Sequence, residues 1–258
     1  MRMPSLFIGH GSPMNALHNE SAYARTLTEL GRSLPRPKGI LMVSAHWLST
    51  GTQVSSAEHP ETIHDFYGFP PALYQVRYPA PGAPEVAYQV SLVVKSCGIW
   101  VDTTYGLDHG SWSVLRHLYP QADIPVTQLS IDVNKSPAEH WVLARELAIL
   151  RDHGIMIMGS GNIVHNLRMA DFGNPDAEPA GYTRRYDEKI RLAMEQKDEQ
   201  TLLDYLSADN DTRLAVNSAE HYIPLIYVMG TARPAEPVRT VYEGYEHASI
   251  SMRSVCIG

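Results

Sequence analysis

The sequence predicts an α/β fold, with strands and helices alternating along one domain that spans residues 1–258. Three observations carry this. The apolar runs Leu6-Phe7-Ile8, Ile40-Leu41-Met42-Val43 and Ile155-Met156-Ile157-Met158 have the length of buried strands. Helical signals fall between such runs, which implies a sheet covered on both faces. Each run also leads through Gly or Ser to a histidine, an arrangement expected at the rim of an open α/β sheet, where ligand sites form beyond the carboxyl ends of strands.

The first strand is expected at residues 5–9. A helix follows from about Ser21 to Leu34, with Tyr23, Leu27, Leu30 and Leu34 on one face, and Pro35-Arg36-Pro37 stops it. Strands are expected from Ile40 to Ser44 and near Gln53 to Ser56. Glu58 to Pro84 is rich in Pro, Gly and aromatics and reads as a long loop, equally a binding loop or an ordinary packed surface loop. Pro84 and Gly98 bracket a helix bearing Val86, Val90, Val93 and Cys97. Strand-like runs follow at Ile99–Thr103 and Pro125–Ile131. Ser136-Pro137-Ala138-Glu139 is a capping box that opens a helix ending before Gly154. Gly159-Ser160-Gly161-Asn162 reads as a turn after the strand at 155–158. Tyr182 to Leu206 is polar and helical, suited to an outer layer, and His221 opens a later helix. Ala248 to Ile257 alternates as a strand, with antiparallel pairing as one option.

Composition excludes several function classes. Net charge is −7, and no basic run exceeds Arg184-Arg185, so a nucleic-acid surface is disfavoured. No stretch approaches the roughly 20 apolar residues of a membrane span. An apolar run starts within a few residues of Met1, leaving no room for a signal peptide, so a cytoplasmic protein is expected. Cys97 and Cys256 are the only cysteines, and both sit in apolar company. A metal site would therefore have to use histidine, carboxylate and water.

Four of the 12 histidines follow or precede predicted elements in a way that suits a metal or a reacting group: His10, His46, His165 and His221. His109, in Asp108-His109-Gly110-Ser111-Trp112, is a further candidate because glycine beside it allows close approach of backbone to a ligand. His64, beside Asp65 and two aromatics, suits a pocket wall. His18, His117, His140, His153 and His247 have polar or helical neighbours and are expected at the surface or at caps; His59 carries no further signal. Neither Ser12 nor Ser160 lies in a nucleophile elbow, and Gly159-Ser160-Gly161 lacks the rest of a dinucleotide loop.

Taken together, Gly9-His10-Gly11-Ser12-Pro13-Met14-Asn15, Ser44-Ala45-His46-Trp47, Thr62-Ile63-His64-Asp65-Phe66-Tyr67-Gly68-Phe69-Pro70, Gly106-Leu107-Asp108-His109-Gly110-Ser111-Trp112, Gly161-Asn162-Ile163-Val164-His165-Asn166 and Glu220-His221-Tyr222-Ile223-Pro224-Leu225 resemble the class III extradiol ring-cleavage dioxygenases. Within them the match is to the bacterial branch of the 4,5-DOPA type. The resemblance implies a three-layer α/β/α fold around a central mixed sheet, with one non-haem metal. Fe(II) is the expected working ion, and Zn(II) is able to occupy the same site. It implies His10, His46 and His221 as ligands, with Glu220 as the alternative to His221. His165 is implied as the base in ring cleavage and a possible fourth ligand, and His109 as a contact to substrate or oxygen. Small catechols such as L-DOPA, together with O₂, are the implied reactants. His64, Phe66 and Trp112 are expected around the ring, with Tyr67 and Phe69 nearby, and Arg168 near a substrate carboxylate. Two rivals share these residues: a three-histidine zinc hydrolase, and a relative without activity that binds metal or peptide.

Overall fold

The computed structural model describes residues 2–258. In chain order the strands are β1 (Ser5–Gly9), β2 (Gly39–Ser49), β3 (Thr52–Ser55), β4 (Ile99–Asp102), β5 (Val126–Asp132), β6 (Ile155–Gly161), β7 (Val238–Tyr242), β8 (Tyr245–Glu246), β9 (Ile250–Ser251) and β10 (Ser254–Ile257). The helices are α1 (Ala22–Ser33), α2 (Pro71–Tyr74), α3 (Pro84–Val93), α4 (His109–Leu118), α5 (Pro137–Leu147), α6 (Gly181–Gln196), α7 (Glu199–Leu203), α8 (Asn210–Ala215) and α9 (Ile223–Gly230).

Eight strands form one mixed sheet in the order β4-β3-β5-β2-β6-β1-β10-β7. The inner four, β5-β2-β6-β1, are parallel, which is what crossover helices produce. β10 runs antiparallel to β1 and β7 antiparallel to β10, while β3 meets β5 antiparallel on the other side.

The period of two along the inner strands sorts side chains between two cores. Phe7, Leu41, Val43, Ile155 and Ile157 face a layer that includes α3, α5, α6 and α9. Leu6, Ile8, Ile40, Met42, Met156 and Met158 face the layer of α1 and α4. Both faces are covered, so these strands are apolar throughout and the architecture is three-layered.

Capping chemistry starts the helices where the sequence indicates. The Ser21 hydroxyl accepts from the Ala24 N–H, and Ser136 with Glu139 completes both halves of the capping box. Several elements differ from expectation, among them β2, which runs on to Ser49, and the stretch from Ala248, which forms two strands rather than one. α3 stops at Val93 because the Glu146 carboxylate accepts from the Lys95 and Ser96 N–H groups and draws the chain aside. β6 runs on through Gly161, since Gly159 and Gly161 pair with Phe7 and Gly9. A Cβ at Gly159 would meet the Pro224 carbonyl at 2.4 Å, and one at Gly161 the His221 carbonyl at 2.1 Å, so glycine here lets the segment leading into α9 press onto the strand. The polar stretch after Tyr182 is broken at Lys197, whose φ of 53° caps α6. Helix α4 has no counterpart in the sequence reading.

His117 and His140, expected at the surface, are buried. The His117 Nε2 pairs with the Asn15 carbonyl at 3.0 Å, and the His140 Nδ1 meets the Tyr227 hydroxyl at 3.0 Å. Each bond satisfies one ring nitrogen of an imidazole that the helix turns inward, while the buried Nε2 of His140 has no partner. Among the described residues, no helix is long and apolar enough to cross a membrane.

Candidate metal centre and its cavity

Four backbone devices bring distant histidines to the carboxyl ends of the inner strands. His10 leaves β1 with its N–H on the Gly161 carbonyl. His46 lies inside β2 rather than after it. There the register with β5 jumps, from Val43 opposite Leu129 to Leu48 opposite Ile131, and this bulge re-aims the side chain. His221 precedes α9, held as its carbonyl accepts from the Asn162 N–H at 2.8 Å. His109 opens α4, capped by Asp108. Glycine at 110 serves packing rather than ligand approach, because a Cβ there would lie 2.5 Å from Ser44 Oγ and 2.9 Å from His46 Cδ2.

One ring nitrogen each from His10, His46 and His221 lies within 4.8 Å of the others. The second nitrogens of His10 and His221 are committed elsewhere. The Ser160 hydroxyl donates to the Gly110 carbonyl at 2.5 Å, so its oxygen accepts from His10 Nδ1–H at 2.9 Å. His221 Nδ1–H donates to Glu220 at 3.2 Å. These bonds leave the Nε2 lone pairs of His10 and His221 for a ligand. His10 Nε2 and His46 Nε2 are 3.3 Å apart. Two nitrogens about 2.0–2.1 Å from one ion at a tetrahedral angle lie about 3.3–3.4 Å apart, so this edge fits a divalent metal.

Burial, reinforced by the neighbouring imidazoles, holds His10 and His221 well below the usual histidine range and takes His46 down to about 3. The three are neutral at pH 7, as metal ligation requires. His165 stacks flat on His221, with ring centroids 3.5 Å apart and planes 8° from parallel. Burial lowers it to about 4, against a partial pull upward from Glu220. Its nitrogens do not join the ligand group.

Asp65 joins two of the rings. It accepts from His109 Nδ1 at 2.9 Å and from the His109 N–H at 2.8 Å, and lies 3.6 Å from His46 Nδ1. Burial raises its carboxyl, but the His109 bond and charge outweigh that and hold it below the ordinary carboxylate value. Below it, fully buried Asp108 receives the Ser44 hydroxyl at 2.6 Å and the Gln128 amide at 3.0 Å, buttressing the bulge that carries His46.

The histidines open into a cavity of about 640 Å³ walled by Phe66, Tyr67, Phe69 and Phe172, among others. Its size suits a small aromatic ligand. The structure places the other candidate residues unequally. His10, His46, His109, His165, His221 and Phe66 all line the cavity. Trp112 and His64 lie behind its wall: the Trp112 indole donates to the Ile63 carbonyl, and the His64 Nε2 to the Val76 carbonyl. Arg168 is exposed and outside the lining. Glu220 sits on the Nδ1 side of His221 and is outside the group of nitrogens that converge. Sequence reading missed Asp65 and Ser160 as partners of His109 and His10. Neither has a local signal, because each pair is far apart in the chain, 44 and 150 residues respectively. His18 and His247 were also missed as cavity-lining residues.

An α/β/α sheet with three histidines converging at its strand ends, beneath an aromatic cavity, defines a metal enzyme for a small aromatic substrate. Residues 6–254 match the family described as the catalytic LigB subunit of aromatic ring-opening dioxygenase, and the chain belongs to that family. It is similar to a protein of Escherichia coli K12 named 4,5-DOPA dioxygenase extradiol, 45% identical over 100% of this chain and 95% of the relative. The protein of the same name from Beta vulgaris is 32% identical over 97% of this chain and 94% of its own length. A crystal structure of an E. coli K12 protein superposes with a TM-score of 0.87 at 41% identity, covering both chains fully.

Proposed function

We propose that residues 1–258 act as one catalytic unit, a metal-dependent extradiol dioxygenase that opens a catechol such as L-DOPA with O₂, with Fe(II) as its working ion. The observation that carries the reading is the trio His10, His46 and His221, with Nδ1 of His10 and His221 held from behind and Nε2 left for a metal beside an aromatic-walled cavity.

When bound, the metal supplies open coordination positions for the two catechol oxygens and O₂ and lowers the pKa of a coordinated hydroxyl. The protein supplies the rest. The aromatic wall excludes water and holds the ring. His165, neutral at pH 7, takes a phenolic proton on its free ring nitrogen, and stacking on His221 keeps it beside the ligand set. Asp65 fixes the His109 ring by accepting from Nδ1–H, so that Nε2 is the atom left to hydrogen-bond substrate or oxygen.

The test is oxygen uptake on adding L-DOPA to anaerobically iron-loaded protein, with a zinc-loaded sample in parallel. Uptake with a new yellow absorbance from the iron form alone is expected. Absence of uptake with L-DOPA, catechol and protocatechuate would refute ring cleavage and favour a zinc hydrolase.

A further inference from the structure

The charge content of the cavity selects among catechols. Among the described residues, no lysine or arginine lines it, whereas two carboxylates do, Asp65 and Glu246. They are not equivalent. Asp65 is committed to His109 through both oxygens. Glu246, at the end of β8, faces no fixed cation. One oxygen accepts from the Ser12 N–H at 3.0 Å and the other from the Asn15 amide at 2.7 Å, both in the turn that follows His10. A carboxylate offers about four acceptor positions, so two remain after these bonds.

Burial pushes the Glu246 carboxyl up, and the two N–H donors together with nearby His247 and His18 hold back only part of that rise. A carboxylate in that state gains from any cation brought into the cavity, since opposite charges attract strongly where water is excluded. The titratable side chains beside Glu246 in the cavity are the imidazoles of His18 and His247, which are not fixed cations. Phe172, whose ring stands 5.5 Å from that of His247, offers a face on which a cation also rests favourably. Arg168, the expected anchor for a substrate carboxylate, lies outside the lining.

The geometry points to Glu246 as the specificity-determining residue that receives a positively charged amino group on the catechol side chain. The preferred substrate class is accordingly catechols bearing an ammonium group, over catechols bearing only a carboxylate. This rests on the catechol-cleavage reading and deepens it. A side chain that ends in a carboxylate alone would bring a second anion against Glu246, and like charges across a desolvated interface are strongly unfavourable.

The test compares dopamine with hydrocaffeate, which presents a carboxylate and no amine on a similar side chain, and with uncharged ethylcatechol. Affinities are measured anaerobically by calorimetry on zinc-loaded wild type and on Glu246→Gln, and kcat/KM on the iron-loaded forms. Wild type is expected to bind dopamine at least about tenfold more tightly than hydrocaffeate, with ethylcatechol between, and Glu246→Gln to bring the ratio toward one. A second variant, Phe172→Arg, adds a cation at a residue that is 65% exposed, where folding is indifferent to it, and is expected to narrow the same ratio. A wild-type ratio near one, or a ratio unmoved by Glu246→Gln in protein of unchanged circular dichroism and metal content, overturns the assignment. Because calorimetry needs no turnover, a failure of ring cleavage shows in the oxygen assay alone and leaves the binding ratio readable.

Discussion

Replacing Ser160 by alanine tests whether the centre is built from behind its ligands. The Ser160 hydroxyl is fully buried and works in both directions, accepting from His10 Nδ1–H at 2.9 Å and donating to the Gly110 carbonyl at 2.5 Å. Alanine removes one oxygen and leaves the His10 Nδ1–H without its partner in a buried place, while the Gly110 carbonyl keeps its bond within α4. An unpaired buried polar group costs about 1–3 kcal/mol, so the ring is driven to turn or to carry its proton on Nε2 instead. Either change takes the Nε2 lone pair away from the ion. Loss of such an outer partner weakens metal binding about 10–100-fold, equivalent to about 1.4–2.7 kcal/mol. The assay is anaerobic competition for Zn(II) or Fe(II) against a chelator of known affinity, with Ser33→Ala, whose hydroxyl lies at the exposed end of α1, as control. A dissociation constant for Ser160→Ala within about twofold of wild type, in protein of unchanged circular dichroism, would refute the reasoning.

His165→Ala is expected to retain its metal while losing about 10²–10⁴-fold in kcat, read by metal analysis beside oxygen uptake; loss of the metal as well would make His165 a ligand. Asp65→Asn swaps an acceptor oxygen for a donor beside His109 Nδ1–H, so kcat should fall about tenfold or more with less effect on metal content. Asp187→Ala should destabilise the fold by about 3–5 kcal/mol in urea titration, because it leaves the buried Arg253 guanidinium without its main partner. The pH dependence of stability should carry a contribution from His140, which burial lowers from 6.5 to about 4. Above pH 6.5 the ring is neutral folded or unfolded. As pH falls from 6.5 to 4 only the unfolded chain takes the proton, so stability declines by on the order of 3 kcal/mol. His140→Phe should flatten that part of the urea-derived stability curve, and an unchanged slope would show that the ring is not held neutral.

What the sequence showed of this molecule follows the range over which physical signals act. Period and capping are local, so β1, α1 and the capping box at Ser136 were readable almost to the residue. Helix α4 was not: nearly all its residues are buried although several are polar, so burial there does not follow hydropathy. The β2 bulge at His46 was hidden for a different reason: it is a mismatch with β5, and a pairing between strands has no trace in either strand alone.

The same distinction explains the site. Each ligand candidate carries a local mark, a histidine just past an apolar run or just before a helix. What turns the histidines into a centre is non-local. β1, β2 and β6 must lie side by side in the sheet, and Gly161 must lack a side chain so that the His221 carbonyl can close on the strand. The partners that orient the rings sit on still other elements: Ser160 in β6 for His10, and Asp65 in the long loop for His109. Glu246 shows the limit of local reading most clearly. In the sequence it is one acid in a polar C-terminal stretch, and only the hairpin of β8 and β9 brings it against the turn after His10. The ligand types are thus written locally, whereas the charge that the substrate meets is set by which distant strands pair.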